Sequence, residues 1–125
     1  MSEAAAQPAA VRTRKPAGPV RKFGRPLAEG VTLNDLVLPR AIGRDMPFTL
    51  NTAVVDAGAE LPLHSHPQHE IWVVSSGSGV LDRGEETFEI AAGDVVLFES
   101  GIEHHLTNNG PVELRLVSVY WGRTA

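Results

Sequence analysis

From Val31 onward, short runs of Val, Ile, Leu, Thr and Phe are cut by clusters of Gly, Pro, Asp and Asn. No segment keeps a 3.6-residue apolar period for three turns, so long helices are excluded. The rhythm is that of an all-β protein. It predicts strands over Val31–Leu38, Phe48–Val55, Leu61–Ser65, Glu70–Ser75, Gly79–Asp82, Thr87–Ile90, Asp94–Phe98, His104–Asn108 and Val112–Trp121. Turn residues stand between them, at Asp56-Ala57-Gly58, Ser76-Gly77-Ser78-Gly79, Arg83-Gly84-Glu85, Ala92-Gly93-Asp94 and Asn108-Asn109-Gly110-Pro111. So many short strands at this spacing imply a sandwich, a jelly roll or a small barrel.

Charge divides the chain. Residues 1–30 carry six basic side chains (Arg12, Arg14, Lys15, Arg21, Lys22, Arg25) against Glu3 and Glu29, whereas residues 31–125 carry five basic and thirteen acidic ones. The first stretch also holds four prolines and an Ala-rich start. It cannot bury enough apolar surface to offset its ordering entropy, and is read as a basic, mostly disordered tail whose last residues lie along a sheet. Residues 31–125 are then a single β domain, because a chain of 125 residues has room for one modest core. Without aromatic interleaving or a helix-turn-helix after the tail, nucleic acid is not an expected partner. No apolar run is long enough for a membrane span and no signal-like segment opens the chain, so a soluble cytoplasmic protein is expected.

There is no cysteine, which removes disulfides, thiol nucleophiles and iron–sulfur ligation and leaves any metal to His and carboxylates. His64-Ser65-His66 is the first such set. Residues two apart on a strand share a face, with backbones about 6–7 Å apart, so both imidazoles can reach one ion. Glu70 follows after a short excursion, and His104 stands after a glycine turn on a later strand. Three imidazoles and a carboxylate suit Fe(II), Mn(II), Ni(II), Zn(II) or Cu(II), and on an octahedral ion they leave two positions open.

Gly58, His64, Ser65, His66, Glu70 and Gly77 resemble, at every spacing, the first conserved motif of the cupin superfamily. Gly93, Glu99-Ser100-Gly101, His104 and Asn108 resemble the second, with Glu99 where Pro is usual, and the fifteen residues between Gly77 and Gly93 resemble the spacer of small microbial cupins. The resemblance implies a small antiparallel jelly-roll β-barrel, a single divalent metal with iron or manganese favoured, His64, His66, Glu70 and His104 as its ligands, and a homodimer.

Other residues follow from parity and position. Trp72 shares a face with Glu70 and is expected to line the substrate pocket, together with Tyr120 on the last strand and Asn51 on the strand before the first motif. His69 stands near the barrel mouth as a candidate proton donor, while His105, Glu99 and Glu103 read as surface groups. Val117, Val119 and Trp121 form an apolar face able to bury against a second subunit. Of the arginines after residue 30 (Arg40, Arg44, Arg83, Arg115, Arg123), none can be assigned to the cavity, so a strongly anionic substrate has no visible support.

The leading function is a metal-dependent oxygenase acting on a small oxygen-bearing metabolite. Redox-neutral isomerase, cyclase or lyase chemistry and a non-enzymatic metabolite-binding or sensor module are the alternatives. No basic pair is placed for 2-oxoglutarate, which is not expected as a cosubstrate.

Overall fold

The computed structural model describes residues 21–37 and 47–122. Among the described residues ten strands follow in chain order: β1 (Arg21–Ala28), β2 (Val31–Val37), β3 (Phe48–Val55), β4 (Glu60–His64), β5 (His69–Ser76), β6 (Ser78–Arg83), β7 (Glu86–Ala91), β8 (Val95–Phe98), β9 (His104–Thr107) and β10 (Leu114–Trp121). They pair into two antiparallel sheets, one of order β4-β9-β6-β7 and one of order β1-β2-β3-β10-β5-β8. There is no helix among the described residues, and hence none long and apolar enough to cross a membrane.

Alternation builds the core. Asn51, Ala53 and Val55 of β3, Glu70, Trp72 and Val74 of β5, and Leu114, Leu116 and Ser118 of β10 all point inward, and their neighbours point out. They meet Leu61, Leu81, Ile90 and Leu106 of the smaller sheet in one buried cluster. The apolar area this removes from water is the main stabilising term.

The sheet does not start at Val31. Residues 21–28, at the end of the stretch read as tail, form β1 and pair along β2 from Arg21↔Val37 to Ala28↔Val31. Gly24 and Pro26 make this segment look like linker, yet a strand that pairs on one side only among the described residues tolerates both. β1 also comes against β4 and closes the barrel on that side. The first twenty residues of the tail read over 1–30 lie outside the described residues.

Two glycines fix turns, one at the far end of β5 and one beside the site. Gly77, at φ 83°, ends β5, and a Cβ there would stand 2.5 Å from the carbonyl oxygen of Glu113. Gly101, at φ 81°, occupies the third position of a turn closed by the Ile102 N–H donating to the Glu99 carbonyl at 3.1 Å. A positive φ at that position is what a type II turn requires. The turn therefore forms with Glu99 in place of the usual Pro, and the Glu99 carboxylate pairs instead with Arg83 at 3.2 Å.

Candidate metal centre

Register brings the histidines together. His104 of β9 stands directly across from His64 of β4, next to an irregularity that sets Leu106 opposite Leu61. The extra residue on β4 is a β-bulge, a device that re-aims side chains beside sites. β4 ends at His64, so His66 lies just past the strand rather than on it. It still turns to the same side, with ring centroids 6.0 Å from His64 and 5.7 Å from His104; His64 and His104 are 4.1 Å apart.

Each imidazole is anchored through the same atom. The Nδ1 groups of His64, His66 and His104 donate to the carbonyls of Pro62 (2.8 Å), Gln68 (3.1 Å) and Ile102 (3.1 Å). A proton on Nδ1 leaves Nε2 as a bare lone pair, and in the neutral tautomer only that atom can bind a cation. One ligand atom from each of the three rings lies within 4.8 Å of the other two. Nε2 of His104 is buried without a hydrogen-bond partner. Burial first, and the charge of His64 second, push the His104 pKa down to about 4, so this ring is neutral near pH 7.

Glu70 supplies the fourth group. Its Oε1 stands 2.8 Å from His66 Nε2 and 3.6 Å from His104 Nε2. Adjacent ligands about 2.1 Å from a metal are separated by roughly 3 Å, so these spacings are those of neighbouring corners of one coordination shell. The other oxygen, Oε2, accepts from Trp72 Nε1 at 2.8 Å and from Ser118 Oγ. With Oε2 occupied, only Oε1 faces the imidazoles. Behind His104 stand Phe98 at 4.3 Å and Trp72 at 5.5 Å, centroid to centroid, a wall with few polar atoms. An orphaned buried nitrogen, three convergent lone pairs and a single-oxygen carboxylate fit a divalent transition metal.

The site opens into a cavity of 440 Å³, within the range of about 300–1,000 Å³ typical of small-molecule sites. Trp72, Tyr120 and Asn51 line it, as the strand parities imply. His69 does not. It neighbours Glu70 on β5, and alternation sends it to the outer side, where its Nδ1 accepts the Ser100 N–H at 3.1 Å and its ring packs 5.8 Å from that of Trp121. A proton-donor role inside the cavity is therefore not available to His69. His105, likewise turned away from the centre, sits between Glu60 and Asp82. Arg83 and Arg115 do not line the cavity, and Arg40, Arg44 and Arg123 lie outside the described residues. Arg25 does line it, although its sequence context hid it among tail residues.

An antiparallel jelly roll with three histidines gathered beside Glu70 at its cavity defines a small β-barrel with a His cluster able to hold a metal ion. This chain belongs to the cupin family: residues 51–120 match the Cupin domain. An uncharacterised protein of Methanocaldococcus jannaschii is 28% identical over 90 residues, which cover 71% of each chain. A cupin 2 conserved barrel protein of Rhodopseudomonas palustris superposes with TM-score 0.70 at 18% identity, over 93% of this chain and 83% of that one. A predicted oxalate decarboxylase of Thermotoga maritima superposes with TM-score 0.67 at 23% identity, over 82% of this chain and 92% of that one. At such identities the two structures speak for the fold alone.

Proposed function

We propose that this cupin holds one divalent transition metal on His64, His66, His104 and Glu70 and is a metal-dependent enzyme, an iron- or manganese-supported oxygenase of a small oxygen-bearing metabolite. The observation that carries this reading is the shared tautomer: three Nδ1 atoms tied to backbone carbonyls leave three Nε2 lone pairs facing one point. When bound, such an ion supplies Lewis acidity and a binding position for dioxygen or a substrate oxygen. The chain does the rest. Trp72 and Ser118 fix the Glu70 carboxylate, Phe98 and Trp72 keep water from the back of the centre, and Asn51 and Tyr120 offer polar groups to orient a bound molecule. The name of the Thermotoga relative supports chemistry on a small metabolite and keeps redox-neutral cleavage as the competing reaction.

The deciding experiment is elemental analysis of protein purified without chelator or added metal, with His64→Ala beside it. Near-stoichiometric iron or manganese that is lost in the variant, with substrate-dependent oxygen uptake, is the expected result. Turnover without oxygen on zinc or nickel would replace the oxygenase by a Lewis-acid isomerase or lyase, and a metal-free protein would overturn the reading in favour of a binding module.

We also propose that a second copy covers the outer face of the larger sheet. Ile71 and Val73 of β5, Val95 and Leu97 of β8, and Val117 and Val119 of β10 lie side by side in register there. A two-fold contact needs a surface complementary to itself, and an uncharged apolar face meets that condition.

A further inference from the structure

Arg25 is the only Lys or Arg among the described residues that line the cavity. The barrel around it is acidic, with five basic against thirteen acidic side chains after residue 30, so a cation turned toward the cavity is not explained by the general character of the surface. Its orientation is also imposed. Arg25 Nε donates to Asp35 Oδ2 at 2.7 Å and Nη2 reaches Oδ1 at 3.4 Å, across the β1/β2 pair. That contact uses one edge of the guanidinium. A guanidinium has five N–H donors in a rigid fork, and among the described residues nothing takes the edge formed by Nη1 and the second Nη2 hydrogen. Asp35 raises the Arg25 pKa, by its hydrogen bond first and its charge second, so the cation persists at any working pH.

Charge bookkeeping within the cavity points the same way. The charges in its described lining are Glu70 and Arg25, and with Asp35 paired to Arg25 they sum to minus one; a divalent ion at the centre adds two positive charges and leaves the cavity net positive. An anion is the complementary occupant. Glu70 and Arg25 are on strands at opposite sides of the larger sheet, with β10, β3 and β2 between them. One ligand reaching both therefore needs two oxygen-bearing ends.

We propose that Arg25 is a substrate-binding residue that selects small carboxylic acids: one end of the ligand bears the oxygen donors for the metal, and a distal carboxylate takes the free edge of the Arg25 guanidinium. The inference rests on the metal reading above and adds the charge class of the substrate. Asp35 acts as a positioning residue, holding the fork so that little side-chain freedom is lost on binding. Neutral metabolites of the same size lack the group that the fork recognises.

The test uses malate, 2-hydroxyglutarate and 2-hydroxyadipate, each compared with its ω-monoamide, which keeps the size and removes the distal charge. Binding is measured by calorimetry on the full chain, with and without stoichiometric zinc. For at least one chain length the acid should bind at least about tenfold tighter than the amide, as expected for charge-assisted hydrogen bonds, and Arg25→Gln should erase that preference while leaving amide binding and zinc uptake unchanged. Because the variant bears on an edge strand, the Nε–H resonance of Arg25 in wild-type protein is followed as well. It should shift with the acid and stay in place with the amide. Zinc uptake with no acid preferred over its amide, or a preference that survives Arg25→Gln, would overturn the proposal and leave the metal centre standing. Failure to take up zinc would instead overturn the metal reading, while a preference lost in Arg25→Gln without zinc would still support the Arg25 assignment.

Discussion

Trp72 and Glu70 lie two residues apart on the inward side of β5, and the indole Nε1 donates to the carboxylate Oε2 at 2.8 Å. The strand period alone makes this contact possible, because residues i and i+2 share a face. It decides which carboxylate oxygen meets the imidazoles.

Trp72→Phe keeps an aromatic ring and removes the donor. Loss of an outer partner of a ligating group typically costs 10- to 100-fold in metal affinity. We expect a drop of about that size in competitive zinc titration, and a smaller one for Ser118→Ala, which removes the second partner of Oε2. Unchanged affinity in Trp72→Phe would show that Glu70 is positioned by other means.

Asn108 is fully buried and ties three chain segments together: Nδ2 donates to the carbonyls of Val55 and Val112, both at 2.9 Å, and Oδ1 accepts the Gly110 N–H at 2.9 Å. Asn108→Ala removes three hydrogen bonds and leaves the buried Val55 carbonyl unpaired, while the groups at Gly110 and Val112 can turn to water, a loss of about 2–3 kcal/mol. Urea unfolding should show a lower midpoint with little change in slope, the product of slope and midpoint shift matching that loss.

His105 lies between Glu60 (2.9 Å) and Asp82 (3.2 Å), and hydrogen bonding to Glu60 is the leading cause that raises its pKa above 6.5. A raised folded-state value means the protonated ring stabilises the fold. That contribution is fully present below about pH 6.5, the unfolded value, and is lost as pH rises through the folded value. In chelator-treated protein, His105→Gln should lower stability by roughly 0.5–1 kcal/mol near pH 5.5, and by clearly less near pH 9. A pH-independent difference in thermal melting would assign the effect to packing.

Leu97 is 46% exposed on β8, the edge strand that borders the apolar face of the larger sheet. If a second copy covers that face, Leu97→Lys places like charges opposite each other across the two-fold contact. Sedimentation should then give a monomer for the variant and a dimer for the wild type. A wild-type monomer at micromolar concentration would remove the dimer from consideration.

The strands and the ligands were legible because each rests on a local pattern. Phe48–Val55 alternates so cleanly that its limits coincide with those of β3, and the turns around Gly77 and Gly93 mark the neighbouring strands. The motif spacings placed His64, His66, Glu70 and His104 in one site, although the β-bulge that aligns His64 with His104 leaves no trace in the sequence. Parity placed Trp72 correctly inside, and the same rule turns His69 outward once Glu70 is inward. Arg25 was illegible for a different reason. Lysine, glycine, proline and arginine in residues 21–28 are the composition of a linker, and only pairing with β2 makes a strand of them. Long-range partners of that kind are invisible to any reading of neighbours along the chain.

Among the described residues β1 pairs on one side only, and this has an evolutionary consequence. Glu70 and His104 stand on strands paired on both sides, and His64 and His66 stand on or beside β4, which is held against β9, whereas Arg25 stands on a strand remote from the centre whose hydrogen-bonded neighbour among the described residues is β2. Substitutions on that strand disturb one ladder and leave the centre intact. Descendants of such a barrel can change what they recognise by rewriting a peripheral segment while inheriting the chemistry unaltered.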